Sequence, residues 1–478
     1  MPSRFRINSV HIFPDDSLIS EREHMTPVMG QPVKLPEPVI RADSETDRNG
    51  ATFPSVHFDE EAQLFKAWYT AQRRATERHI GEPLEDRNAP HLLAYAISRC
   101  GVNWEKPDLG QFEFNGSAAN NICDSVHAES VVIDPHDQDP ARRYKRFMYD
   151  SSKRALHLLL SPDGLHWTWP TREKPLFQTW DVVHDTNFLM GWDEPLGKYV
   201  AFLRPPVSLT PQPQRRIGVS MTDKVLDWPA PKVILEADES DPKGIGPTNK
   251  KRDMDLYQMT GFRYGQGFLG FLLNFDAHLA TDFNDPIYAT LASSADCLHW
   301  QRPMRSRFLS VGNPGDFDGG MVYPNCRPIE FQDELYIYYG AYPQFHAGWS
   351  PAHTAIDPDL KPSIGLAKLR LDGFVGLYTN PYPGRMVTKP IEADGSVLLV
   401  NCIPDSRNGG WLKAEIQDEQ GVPIEGFTID DCLPVAEDDL YNEIIWSSGK
   451  SLGELRGRKT KVCIRQWENV FYGFRFAD

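Results

Sequence analysis

A short turn ending in tryptophan recurs along this chain, and that recurrence restricts the fold more than any other feature. SRCGVNW ends at Trp104, SPDGLHW at Trp167, TDKVLDW at Trp228 and SADCLHW at Trp300. RLDGFVG is a fifth, degenerate copy with Gly376 in the tryptophan slot, and the successive spacings are 63, 61, 72 and 76 residues. A fixed period of this kind means supersecondary units that bury their faces only against one another. Each copy follows an apolar run (LLAYAI, LHLLL, RIGVS, IYATLA, SIGLAKL). Further upstream in each unit lie two more runs joined by an Asp/Gly/Gln-rich turn, as in FPSVHFDEEAQLFKAWYTA and NCRPIEFQDELYIYYGAY. That is the pattern of strand, turn, strand. The residues after the tryptophan, WEKP or WTWP, predict a fourth strand. Five four-stranded units predict an all-β, five-bladed β-propeller. Sandwich repeats would run nearer ~90–100 residues. The Asp-Gly pair suits a tight turn, and Ser, Asp and Trp are expected to staple that turn to its blade.

Beyond about residue 380 the pattern changes. YPGRMVTKP reads as a linker, followed by SVLLVNC, GWLKAEIQD, EQGVPIEGF, YNEIIWS, TKVCIRQW and VFYGFRF. These are short strands at roughly ten-residue spacing, expected to form a small β-sandwich. The predicted division is a propeller over 1–382 and a C-terminal β-sandwich over 383–478. Composition agrees. Proline makes up 39 of 478 residues, about 8% against a usual ~5%, which favours short strands and turns over long helices.

The charge excludes some partners. Fifty basic against 66 acidic residues leave −16, whereas nucleic acids and anionic membranes need a basic footprint. No apolar run approaches the ~20 residues of a membrane span. The N-terminus MPSRFRINSVHIFPDD lacks the apolar core of a leader, so a cytoplasmic protein, or a secreted one whose leader has been removed, is expected. Seven scattered cysteines form no C-x-x-C and are expected to be buried thiols. No metal-loop spacing occurs, and no cofactor is expected. A homo-oligomer stays open.

Several segments together resemble a known group: FKAWYT, AYAISRCGVNWEKPDLGQFEFNGS, RYKRFMY, SPDGLHW, LYIYYGAY and LRLDGFVGL. They resemble the five-bladed propeller glycosidases, glycoside hydrolase families 32 and 43 and their relatives. The tail from LVNC to FYGFRF looks like the C-terminal sandwich of such proteins. The resemblance implies a carbohydrate substrate and hydrolysis of a glycosidic bond. The W-M-N-D-P-N-G, R-D-P and E-C motifs of family 32 do not occur verbatim, so invertase-type fructoside cleavage is not implied.

The innermost strand of each propeller blade lines a central channel. The five matching segments are NGATFPSV, CDSVHAESV, VVHDTNFL, DMDLYQM and GMVYPNC. They place Asp47, Asn49 and Thr52, then Asp124, His127 and Glu129, then His184, Asp185 and Asn187 near one mouth. Asp253, Asp255, Tyr257 and Gln258 follow from the fourth unit, and Asp318, Tyr323 and Asn325 from the fifth. Buried polar groups are costly unless paired, so such a ring points to a ligand pocket. A water-filled polar plug is the plain structural alternative.

Glycoside hydrolysis needs two carboxyl groups flanking the scissile bond, about 5–5.5 Å apart for retention or about 6.5–9.5 Å for inversion. Asp185 falls where the resemblance places the acid of families 32 and 43. Glu129 is expected as its partner and Asp255 as a third carboxylate that raises the acid's pKa by like-charge repulsion. Asp47, His127, His184, Asn187, Tyr257, Asp318, Tyr323 and Asn325 are expected to bind substrate. Trp68 is expected in the core because it alternates within a strand. His346, Trp349 and His353, in a loop of the fifth unit, and Arg204 and Arg216, beside a proline-rich loop, are candidate rim residues. Two rivals remain: a carbohydrate-binding propeller without catalysis, and a lyase or transferase on the same scaffold.

Overall fold

The tryptophan motif folds as a turn tied down by its own side chains. Ser98, Ser161 and Ser294 accept, at Oγ, the N–H three residues on (Gly101, Gly164, Cys297) at 2.9, 2.8 and 3.0 Å. Asp163 and Asp296 each accept two further N–H groups at Oδ1, from Leu165 and His166 and from Leu298 and His299. The indoles of Trp104, Trp228 and Trp300 donate back to the carbonyls of Gly101, Val225 and Cys297 at 3.1, 2.7 and 2.9 Å. In the second copy the carbonyl of Gly164 is instead taken by Trp68, from the neighbouring unit, at 2.7 Å. Trp68 is only 1% exposed and belongs to the core, as expected.

A computed structural model describes residues 10–72, 91–124, 130–150, 155–178, 187–206, 215–241, 243–245, 251–275, 286–346 and 359–478. Among these the chain is all-β, with three 3-10 turns and no α-helix. Three four-stranded antiparallel sheets follow in chain order. The first holds Ala51–Asp59, Leu64–Ala71, Leu92–Ser98 and Ile122–Asp124; the second Val131–Ile133, Tyr144–Asp150, Ala155–Ser161 and Phe177–Gln178; the third Phe188–Asp193, Lys198–Leu203, Ile217–Thr222 and Lys232–Leu235. The fourth unit is Asp255–Tyr264, Gly267–Phe275 and Ile287–Ser294, edged by the short strand Trp300–Gln301. The fifth is Met321–Tyr323, Glu334–Tyr342 and Ser363–Arg370, with Val33–Lys34 added at its outer edge and Ile329–Phe331 paired to Glu334–Tyr342. A single parallel pairing, Ile287 with Met321, joins these two into one sheet.

After Trp228 the expected fourth strand forms, at Lys232–Leu235, but after Trp104 and Trp167 it shrinks to isolated bridges at Glu105 and Thr168. The outer strands come later, at Ile122–Asp124 and Phe177–Gln178. Asp124 therefore closes the first unit rather than opening the second.

Hydrogen bonds link the units in a closed circuit. Ser55 Oγ accepts the Val131 N–H at 2.9 Å (first to second), and Ser130 Oγ accepts that of Leu189 at 2.9 Å (second to third). Arg204 donates to the Tyr257 carbonyl at 2.7 Å (third to fourth), and Thr260 to the Pro324 carbonyl at 2.7 Å (fourth to fifth). Tyr338 donates to the Gly101 carbonyl at 2.8 Å, returning from the fifth unit to the first.

Two further sheets involve both ends of the chain. Val10–Ile12 and Thr26–Met29 join a six-stranded sheet with Val375–Thr379, Val397–Pro404, Asp439–Glu443 and Asn469–Ala477. Ile19–Glu23 joins a five-stranded sheet with Gly384–Thr388, Ile391–Glu392, Trp411–Gln417 and Lys459–Trp467. Phe13, Ile19, Leu398, Val400, Leu412, Ile416, Val462, Ile464, Phe471 and Phe474 form one buried core between them. Residues 10–29 thus pair with strands after 375, a connection the linear repeat does not announce. The expected strand EQGVPIEGF is a turn. Gly421 and Gly426 hold φ of 88° and 89°, a region side chains avoid, and Pro423 between them lacks a donor.

Candidate functional site

Inner-strand bulges aim aromatic rings into one mouth of the circuit. The pairing of Ala51–Asp59 slips between Thr52 and Ser55, and that of Asp255–Tyr264 slips between Leu256 and Gln258. The extra residues are Phe53 with Pro54, and Tyr257. Phe53 takes φ of 49°, a costly conformation for an aromatic residue, and bulges commonly re-aim a side chain beside a site. The Phe53 ring lies 5.6 Å from that of Tyr323 and 6.4 Å from that of Tyr342, and Tyr257 lies 6.0 Å from Tyr323. Three units meet through these rings.

Charge is concentrated around Tyr257. The Arg204 guanidinium stands over its ring at 4.5 Å and Arg215 at 5.2 Å, an attraction worth ~0.5–2 kcal/mol each. Arg215 grips both oxygens of Asp255: its backbone N–H donates to Oδ1 at 2.9 Å and Nη1 to Oδ2 at 2.7 Å. The Tyr257 hydroxyl meets His346 Nε2 at 2.9 Å, and the His346 ring packs on Phe275 at 4.7 Å. The Asn187 side-chain carbonyl accepts the Arg204 N–H at 3.3 Å. At the edge nearest the first unit, Gln72 donates to Thr52 Oγ1 and to the Tyr342 hydroxyl. Gln72 Oε1 is buried with no partner among the described residues. Burial pushes the Tyr342 hydroxyl well above its usual pKa, so it stays protonated and can donate or accept a hydrogen bond.

The structure therefore gathers Asn187, Asp255, Tyr257 and Tyr323. Asn325 lies one step along the same axis, donating to Gln258 Oε1 at 3.4 Å. Glu129, His127, His184 and Asp185 lie outside the described residues, as do Trp349 and His353.

Two expected substrate ligands are placed elsewhere. Asp47 is fully buried; it accepts from Tyr69 and Ser44 and pairs with Lys106 at 2.7 Å. Asp318 pairs with Lys34 at 2.6 Å and accepts from Tyr339 at 3.1 Å. Each carboxylate is committed to holding a strand edge. Asp255 is engaged by Arg215 through both of its oxygens. Arg215 offsets its charge, which weakens like-charge repulsion on any neighbouring acid, and both oxygens already act as acceptors.

Sequence reasoning missed Arg215, Phe53, Phe275 and Tyr342. It named Arg216, the neighbour of Arg215, which turns away to Glu236 at 2.9 Å and to the Pro206 carbonyl. Alternation along a strand makes a one-residue slip a change of face.

No protein-family model matches the chain, and no curated protein matches it. Among solved structures, the β-1,2-mannobiose phosphorylase from Listeria innocua in complex with β-1,2-mannobiose is 12% identical, over 72% of this chain and 98% of that one, with a TM-score of 0.48. A structure described with the GH130 mannoside phosphorylases and the glycoside hydrolases among them that target β-1,2-mannosidic linkages in Candida mannan is 13% identical, over 71% and 94%, with a TM-score of 0.45. The catalytic domain of the Coprinopsis cinerea GH62 α-L-arabinofuranosidase is 11% identical, over 71% and 97%, with a TM-score of 0.42. These likenesses assign no residue of this chain a role.

Proposed function

We propose that the five units are the blades of a five-bladed β-propeller, closed by Val33–Lys34 on the fifth. Residues 10–29 and 375–478 then form a β-sandwich, which moves the boundary from the one expected at 383. The closed circuit of hydrogen bonds between successive units supports this reading, as does one core shared by the two terminal sheets.

On that scaffold we propose a glycoside hydrolase. The observation that carries it is the convergence of Asn187, Arg204, Arg215, Asp255, Tyr257, Tyr323 and His346 at one mouth, from the third, fourth and fifth units. Sugars are bound by such mixtures of aromatic faces and planar polar groups. Glu129 adjoins Ser130, and Asp185 is two residues before Asn187; the hydrogen bond from Leu189 N–H to Ser130 Oγ joins those two inner strands. In the proposed reaction one of Glu129 and Asp185 protonates the leaving glycosidic oxygen. The other attacks the anomeric carbon or activates water. Asp255, held by Arg215, accepts a sugar hydroxyl, and Tyr257 with His346 borders the ring. A panel of aryl glycosides and neutral oligosaccharides, followed by chromatography of the products, tests this. Release of a sugar is the expected result. Binding of a glycan without turnover would favour the non-catalytic rival.

A further inference from the structure

The inner strands also end around a cavity, at the opposite mouth of the circuit. It encloses about 470 Å3 and is lined from all five units, through Ser55 and His57, Val131 to His136, Met190 to Pro195, Gly261 to Arg263, and Asn325 to Arg327. That volume lies within the ~300–1,000 Å3 range of small-molecule sites.

The charges lining this cavity are settled, with one exception. Asp193 takes both Arg263 nitrogens, at 2.6 and 2.7 Å. Asp134 is paired with Lys145 at 2.7 Å and accepts from Tyr199 at 2.7 Å. Glu194 is at the outer rim, accepting from the Trp192 indole at 2.6 Å. Arg327 is exposed into the cavity and makes no ion pair or hydrogen bond among the described residues. In a chain carrying −16, a guanidinium in a cavity wall with no carboxylate partner among the described residues is an unanswered charge. Its surroundings desolvate it enough to lower its pKa.

One acceptor lines the same space. His57 donates from Nε2 to the Val131 carbonyl at 2.8 Å, leaving Nδ1 as an acceptor. Burial first, and Arg327 second, lower the His57 pKa to about 4, so its ring is neutral near pH 7. The wall carries an aromatic stack, Trp192 on His136 at 3.6 Å and 7°.

We infer that this far mouth is a second ligand site, for a monosaccharide-sized hydroxy acid whose carboxylate meets Arg327 and one of whose hydroxyls donates to His57 Nδ1. A guanidinium recognises a carboxylate through two parallel hydrogen bonds, and an unfilled buried acceptor gains from a ligand hydroxyl. The site is independent of the glycosidase reading, since it shares no residue with the opposite mouth.

Titration calorimetry with sodium D-glucuronate, D-glucose and inorganic phosphate tests it. Glucuronate should bind saturably, with glucose and phosphate at least tenfold weaker. Arg327→Met should weaken glucuronate at least tenfold, Arg327→Lys should weaken it less, and Asp255→Asn should leave it unchanged. Arg327 holds nothing in place, so its variants should melt with the wild type. Unchanged glucuronate affinity in Arg327→Met, phosphate binding as tightly as glucuronate, or no saturable glucuronate binding would each overturn the inference. Equal loss in Asp255→Asn would place the ligand at the other mouth and overturn it too.

Discussion

Arg215 holds both oxygens of Asp255, one through its backbone N–H and one through its guanidinium, while the same guanidinium lies 5.2 Å from the Tyr257 ring centre. One residue thus fixes a carboxylate and an aromatic face together. Asp255→Asn keeps the shape but removes the charge that Arg215 answers. If Asp255 orients a hydroxyl, the variant should lose about 10–100-fold in kcat/KM, the scale of a charge-assisted hydrogen bond, with an unchanged far-UV spectrum. A loss of many thousandfold in kcat would return Asp255 to the chemical step.

Tyr257 and His346 share one hydrogen bond at 2.9 Å. Such a bond is worth ~0.5–1.5 kcal/mol net. Tyr257→Phe is expected to cost about 3–10-fold in kcat/KM. Adding His346→Ala should cost less in that background than in the wild type, because the two side chains act as a unit. Strict additivity in the double-mutant cycle would show that they act separately.

The degenerate fifth copy of the repeat has a different use. Asp372 is fully buried and pairs with Arg475, itself 3% exposed, at 2.7 Å; Tyr264 donates to Asp372 at 2.7 Å. The turn that elsewhere serves its own unit here fastens the fourth and fifth units to the strand Asn469–Ala477. Removing one partner of a buried pair costs about 3–5 kcal/mol. Urea unfolding of Asp372→Ala should show that loss, whereas the exposed pair Arg456–Asp478 should contribute less than about 1 kcal/mol.

His11 and His57 give stability a pH dependence. Burial lowers both to about 4, from about 6.5. The unfolded chain therefore takes up these protons first as pH falls. Their stabilising contribution is full above about pH 6.5 and is lost progressively towards pH 4. The melting temperature of the double variant His11→Gln/His57→Gln should fall less between pH 7 and 4.5 than that of the wild type. Parallel curves would contradict this.

The repeat was legible because its bonds are local: Ser98, Asp163 and Trp300 find partners within three residues. Trp68 could be placed in the core by alternation, but not its bond to Gly164, 96 residues away. Asp47 and Asp318 stand near strand starts and looked like channel residues. Lys106 and Lys34, far off in sequence, claim them. The pairing of Val10 with Arg475 is equally long-range, and no periodicity marks it. Bulges at Phe53 and Tyr257 add a residue that simple alternation does not count. For that reason Phe53 escaped a face-by-face reading, whereas Tyr257 and Tyr323 were legible.

If Glu129 and Asp185 together break a glycosidic bond, turnover needs both. The direct measurement is kcat for Glu129→Gln and Asp185→Asn on whichever glycoside the wild type cleaves, with melting temperatures taken alongside. Losses of at least about 1,000-fold are expected in both variants, with wild-type melting. Wild-type turnover in both would contradict it.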